Sequence, residues 1–124
     1  MPSALLAFGC VALGGGIGAV LRHVVDTLVQ GRIRARYPVG ITIVNLTGSF
    51  VLGLLVGFAT PVPLMLLLGT GMLGGYTTFS TASLDTVKLV RERRYGAALA
   101  NGVGMLVAAV CCAILGIALG YAGT

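Results

Sequence analysis

Four long apolar runs dominate this chain, each near the roughly 20 residues that a helix needs to cross a hydrocarbon core. They lie at about residues 4–29, 39–60, 64–87 and 96–121. The first is unbroken from Ala4 to Leu21 and continues past Arg22 and His23 to Val29. Pro38 opens the second, and Pro61 and Pro63 close it. Continuous runs without period-2 alternation argue for helices over barrel strands. Only 9% of the 124 residues are charged, against about a quarter in a soluble domain. The bilayer is therefore the solvent. Short connections make successive helices antiparallel, and residues 1–124 read as one all-α transmembrane domain of four helices.

Glycine is abundant, with 20 residues. It is costly in a water-soluble helix but useful where membrane helices approach closely. Small-xxx-small pairs recur in every span: Gly14/Gly18, Gly53/Gly57, Gly71/Gly75 and Gly116/Gly120. They are packing stripes, not ligand sites. Gly14-Gly15-Gly16-Ile17-Gly18 has the look of a nucleotide loop, but no βαβ unit surrounds it. Cys10, Cys111 and Cys112 sit in apolar stretches without metal-ligand spacing and read as small packing residues. Met1-Pro2-Ser3 lacks the basic flank of a signal peptide, so no cleaved leader is expected.

The charges set an orientation. Arg22, Arg32, Arg34, Arg36, Lys88, Arg91, Arg93 and Arg94 all lie in or toward the first and third connections. The opposite side, with the Thr60–Pro63 turn and both termini, carries no basic side chain. The positive-inside rule then places both basic connections in the cytoplasm and both termini outside a cell membrane. The net charge of +5 reflects this topology rather than nucleic-acid binding.

Polar side chains within a span ask for a reason. Arg22 either snorkels to the interface or attracts anions. His23 reads as interfacial packing. In span two, Asn45, Thr47 and Ser49 put hydrogen-bonding groups on more than one face. Thr47 and Ser49 fit interhelical bonding, while Asn45, with two donors and an acceptor, suits a pore. Span three holds Gly74-Gly75-Tyr76-Thr77-Thr78-Phe79-Ser80-Thr81. Paired glycines and threonines there predict a helix break, tolerated in a membrane only where protein buries it or it lines a cavity. Freed carbonyls can hold a hard cation. The hydroxyls of Thr78, Ser80, Thr81 and Ser83 can serve an anion as donors.

Three segments together carry a resemblance. Gly15-Gly16-Ile17-Gly18-Ala19-Val20-Leu21-Arg22, Val44-Asn45-Leu46-Thr47-Gly48-Ser49-Phe50-Val51-Leu52-Gly53 and the span-three segment ending Thr77-Thr78-Phe79-Ser80-Thr81 resemble the Fluc (CrcB) family of fluoride channels. They occur in order, on three successive helices. The resemblance implies an antiparallel dual-topology dimer, a third helix broken mid-membrane, and passive export of fluoride that confers fluoride resistance. It implies a structural sodium ion at the dimer interface, held by backbone carbonyls of Gly74 and Thr77. It further implies a pore lined by Asn45, Thr78, Phe79, Ser80 and Thr81, with Phe79 offering the positive edge of its ring to fluoride. Arg22 and Asp85 would lie near a vestibule. No catalytic chemistry is implied, and no organic cofactor.

The chain departs from the family at four places. Asp85 stands where the family has Glu, and Ala82 stands where it has a second phenylalanine. The pore-facing Tyr and Ser of helix four correspond to Asn101 and Met105. One-sided charge also differs from the near balance that dual insertion needs. A fixed-orientation subunit paired with a separately encoded relative accounts for both observations. A non-conducting or one-pore partner subunit of such a heterodimer is one alternative. Another is a proton-coupled exporter of the same size, which needs a carboxylate deep in the membrane; Asp26, Asp85 and Glu92 instead sit near span ends.

Overall fold

A computed structural model of the chain describes residues 3–33 and 37–124. Met1 and Pro2, and Arg34 and Arg36 of the basic set, lie outside the described residues. Four helices are long and apolar enough to span a membrane. Helix α1 is Ala4–Arg32 and α2 is Val39–Gly57. The third span, Val62–Arg91, divides into α3 (residues 62–76) and α4 (Phe79–Arg91). Helix α5 is Tyr95–Ala122.

The exposure pattern is inverted relative to a soluble protein. Among described residues the buried hydrophobics are few, centred on Ile41, Val44, Leu73, Leu89, Ala98 and Met105, while Leu5, Phe8, Leu13, Leu99, Leu106 and Ile114 are exposed. Apolar surface facing outward is what lipid accepts. Little hydrophobic force then drives helix association, and close packing must supply it.

Glycine supplies that packing. Helices α1 and α3 meet where a Cβ on Gly14 or Gly18 would come within 3.0 Å of backbone at Leu67 and Met72. From the other side, Gly75 meets the backbone of Gly15, and Gly71 faces Cys10 and Val11. Helices α2 and α5 interlock the same way, Gly53 on Ala113 and Gly116 on Phe50 and Leu54. All four small-residue pairs therefore lie at helix contacts, joining span one to span three and span two to span four. The glycine run around Gly16 is the middle of α1, with no phosphate-binding loop. Cys10, Cys111 and Cys112 are unbridged.

Helix ends are made locally. Ser3 Oγ accepts from Leu6 N–H at 3.2 Å and caps α1. At its far end, Gln30 Oε1 accepts from Gly40 N–H at 3.3 Å and ties α1 to the start of α2. Helices α2 and α4 both end in a residue with positive φ, Ala59 (54°) and Arg93 (59°). Thr60 N–H reaches back to Leu55 C=O, and Arg94 N–H to Leu89 C=O, the six-to-one bond of a Schellman ending.

The third span is interrupted where Gly-Gly-Tyr-Thr-Thr predicts it. Its first half winds as a π-helix over Met65–Leu73. Thr77 and Thr78 are then extended (φ −77°, ψ 155°; φ −147°, ψ 121°) before α4 begins at Phe79. A second π-helical stretch, Ala100–Gly104, follows the first turn of α5. Such wide turns concentrate at functional positions.

Candidate functional site

The break borders a groove of about 820 Å3 between α2, α3, α4 and α5. Asn45, Ser49, Thr70, Gly74, Thr77, Thr78, Phe79, Ser83 and Asn101 are among its walls. The remaining surface is mostly aliphatic, so each polar group there is conspicuous.

Asn45 holds the break open. Its Oδ1 accepts from Thr78 N–H at 2.8 Å, and its Nδ2 donates to Thr78 C=O at 3.0 Å. The remaining Nδ2 proton reaches Met105 Sδ at 3.3 Å. One side-chain amide thus acts as a surrogate peptide for the extended residue, buried at 9% exposure. Asn45 borders the groove as the sequence suggests, but its amide protons are already given to protein acceptors.

Gly74 and Thr77 are among the residues before the break whose carbonyls lose their helical donors. Thr78 N–H would bond Gly74 C=O in a continuous helix; it goes to Asn45 instead. Thr81 N–H would bond Thr77 C=O; it goes to Thr78 Oγ1 at 3.3 Å, the N-cap of α4. Gly74 and Thr77 are the two residues whose carbonyls the family resemblance singles out, and both border the groove. Hard oxygen donors of this kind suit sodium, although two from one chain leave its shell incomplete. Among the described residues no cluster of His, Cys, Asp or Glu could hold a metal.

The hydroxyls divide into two groups. Thr78, Ser80 and Thr81 form a cap cluster: Thr78 Oγ1 lies 3.4 Å from Ser80 Oγ and donates to Thr81 Oγ1 at 3.2 Å. Neither Ser80 nor Thr81 borders the groove. Ser49, Thr70 and Ser83 do, on three different helices. Of these, Thr70 is not among the residues the sequence singles out, and Ser49 reads from sequence as an interhelical bonding group. A faint signal exists for Thr70, since seven residues before Thr77 is about two helical turns along the same face. Thr47 does bond between helices, with its Oγ1 3.1 Å from the Tyr76 hydroxyl.

Phe79 stands at the groove with 87% of its surface exposed. Arg22 and Asp85 are half-buried and border no part of the groove. Arg94 pairs with Glu92 at 3.8 Å.

The three lining departures converge. Asn101, 1% exposed, donates through Nδ2 to Ala82 C=O at 3.1 Å and to Thr86 Oγ1 at 2.9 Å. Met105 receives the third Asn45 bond. Ala82, Asn101 and Met105 thus form one connected patch of groove wall. Within it Asn101 Oδ1 is buried without a hydrogen-bond partner among the described residues, an arrangement that costs about 1–3 kcal/mol.

The family described as CrcB-like protein, Camphor Resistance (CrcB), matches residues 9–117. The Fluoride-specific ion channel FluC 1 of Leifsonia xyli subsp. xyli is 49% identical over 114 residues, covering 89% of this chain and 83% of that protein. FluC 2 of Mycobacterium tuberculosis is 47% identical over 106 residues, covering 86% and 84%. FluC 2 of Cutibacterium acnes is 42% identical over 119 residues, covering 89% and 94%. A match over nearly the whole chain, with four spans and a broken third, makes this multi-pass membrane protein a member of the CrcB family.

Proposed function

We propose that the chain is a subunit of a fluoride-selective channel that lets cytoplasmic fluoride leave passively down its electrochemical gradient. The carrying observation is its kinship, at up to 49% identity over most of its length, with proteins named fluoride-specific ion channels. It is not an enzyme.

Fluoride is small and strongly hydrated, so a pore must replace its water with several donors, each weak enough to release it. Ser49, Thr70 and Ser83 supply hydroxyls along the groove, and Phe79 supplies a ring edge. Asn45 acts by holding Thr78 extended. A sodium ion on the Gly74 and Thr77 carbonyls would contribute a fixed positive charge in a low-dielectric setting.

A second four-span subunit covers the groove in this reading. Polar backbone at membrane depth cannot face lipid, so the break and its groove call for a protein cover. The same two carbonyls from a second subunit would also enlarge the sodium shell. One-sided basic residues favour a single insertion, termini outside, in the cell membrane. The partner is then a separately encoded relative of opposite charge bias. The exporter alternative draws no support, because Asp26, Asp85 and Glu92 all lie away from the groove.

Fluoride-electrode recordings of efflux from reconstituted liposomes test the proposal, with chloride as control. Fluoride efflux without chloride efflux is expected, from this chain together with its partner. Fluoride retention with both subunits present would refute it. Full flux from this chain alone as an antiparallel homodimer would refute the heterodimer.

A further inference from the structure

The start of α4 carries the Phe79 ring, yet little side-chain packing holds it in place. From Phe79 to Lys88 no side chain is buried, and Leu89 is the first that is. The ring itself is 87% exposed, so it cannot fix its own helix. Two buried amides grip the chain on either side of it. Asn45 of α2 bonds the N–H and C=O of Thr78, the residue before Phe79. Asn101 of α5 donates to Ala82 C=O at 3.1 Å and to Thr86 Oγ1 at 2.9 Å.

The direction of the second grip is set by its acceptors. Thr86 Oγ1 gives its one proton to Ala82 C=O at 2.9 Å. It can therefore only accept from Asn101, as can the carbonyl. Turning the amide over would set its oxygen against an acceptor and strand both amide protons. Asn101 is 1% exposed and presents almost no surface to a passing ion. Its Oδ1 is buried without a hydrogen-bond partner among the described residues, a cost that an aliphatic side chain would avoid. What the asparagine adds is geometry. Apolar helix faces attract one another only weakly in lipid, whereas two directional bonds fix how far α4 is rotated against α5.

That rotation matters because of what shares the gripped face. Phe79, Ala82 and Thr86 follow the i, i+3, i+7 spacing of one helix face, and all three border the groove. We propose that Asn101 is a positioning residue, which sets the rotation of α4 and through it the place of the Phe79 ring in the groove. Resting on the channel reading, the consequence is that fluoride efflux depends on Asn101 by way of Phe79.

Two variants and two readouts test this. Asn101→Leu removes both bonds. Thr86→Val removes one acceptor with almost no change of shape, and carries the test should the first variant fail to fold. The chain has four phenylalanines, Phe8, Phe50, Phe58 and Phe79. Ring 13C labels in the full-length subunit, reconstituted with its partner in fluoride-free nanodiscs, report each place separately, and Phe79→Ile assigns the Phe79 signal. That signal should shift in both variants, less in Thr86→Val, while those of Phe50 and Phe58 stay in place. A stationary Phe79 signal would overturn the proposal, and so would equal movement of all three, which marks general loosening. Efflux should fall about tenfold in Asn101→Leu, and the double variant with Phe79→Ile should be no slower than Phe79→Ile alone. Falls that multiply would mean independent action and would also overturn it. A wild-type assembly that passes no fluoride refutes the channel reading instead, and the ring shifts still decide the role of Asn101.

Discussion

The side chain of Asn45 on α2 bonds both the N–H and the C=O of Thr78, at 2.8 and 3.0 Å, across a gap of 33 residues in sequence. This pair of bonds substitutes for the helical bonds that the third span gives up, and it diverts from Gly74 the donor a helix would supply. The site is therefore built by a side chain that replaces backbone, with the permeating ion as a separate matter.

Removing that amide should damage both fold and flux. Asn45→Leu orphans two backbone groups of Thr78, at about 1–3 kcal/mol each. A lowered unfolding temperature in detergent is expected, with fluoride efflux reduced about tenfold or more, as 1.4 kcal/mol on a barrier requires. Asn45→Asp keeps the acceptor for Thr78 N–H but sets a carboxylate against Thr78 C=O and toward the groove. It should abolish efflux with a smaller loss of stability. Unchanged efflux in both variants would remove Asn45 from the pathway.

Phe79 separates flux from folding. Its ring is 87% exposed, so Phe79→Ile removes little packing within the subunit. Thermal stability of the single subunit should stay near wild type, while fluoride efflux falls about tenfold because an aliphatic side chain has no positive ring edge. Equal efflux from both proteins would mean that the ring serves packing only.

Much of this architecture was legible in the chain. Run length and the scarcity of charge gave four spans, because a bilayer enforces both. The break at Thr77 and Thr78 was readable from Gly74-Gly75 and the two threonines. What could not be read was where each donor goes. The family resemblance makes Ser80 and Thr81 pore hydroxyls, but no sequence pattern records that the cap geometry of α4 also brings both to Thr78 Oγ1. Ser49 and Thr70 gain their place from the packing of α2 and α3 around the groove, which no local pattern records. The link between Ala82, Asn101 and Met105 spans two helices and is likewise a property of the assembled fold.

Glycine contacts between helices give a graded test of packing. Gly53→Val drives a side chain into the Ala113 backbone of α5, while Gly16 has open space beside it. Overpacking costs about 1–3 kcal/mol, so Gly53→Val should unfold several degrees lower in detergent. Gly16→Ala should be neutral. Similar melting of the two variants would mean that the α2–α5 interface is looser than the close approach implies.

Orientation is the last expectation and the one on which the choice of partner depends. Helices α1 and α4 end on the same side, and Arg32, Lys88, Arg91, Arg93 and Arg94 gather there. Each basic residue favours the cytoplasmic side, and none stands on the opposite face to compete. Ser3→Cys and Thr124→Cys, in a background with Cys10, Cys111 and Cys112 replaced, report the outcome through a membrane-impermeant thiol reagent on intact cells. Both positions should label fully before lysis, with no further labelling after it. Half-labelling that completes only on lysis would mean dual insertion, and the chain would then need no oppositely biased relative to assemble.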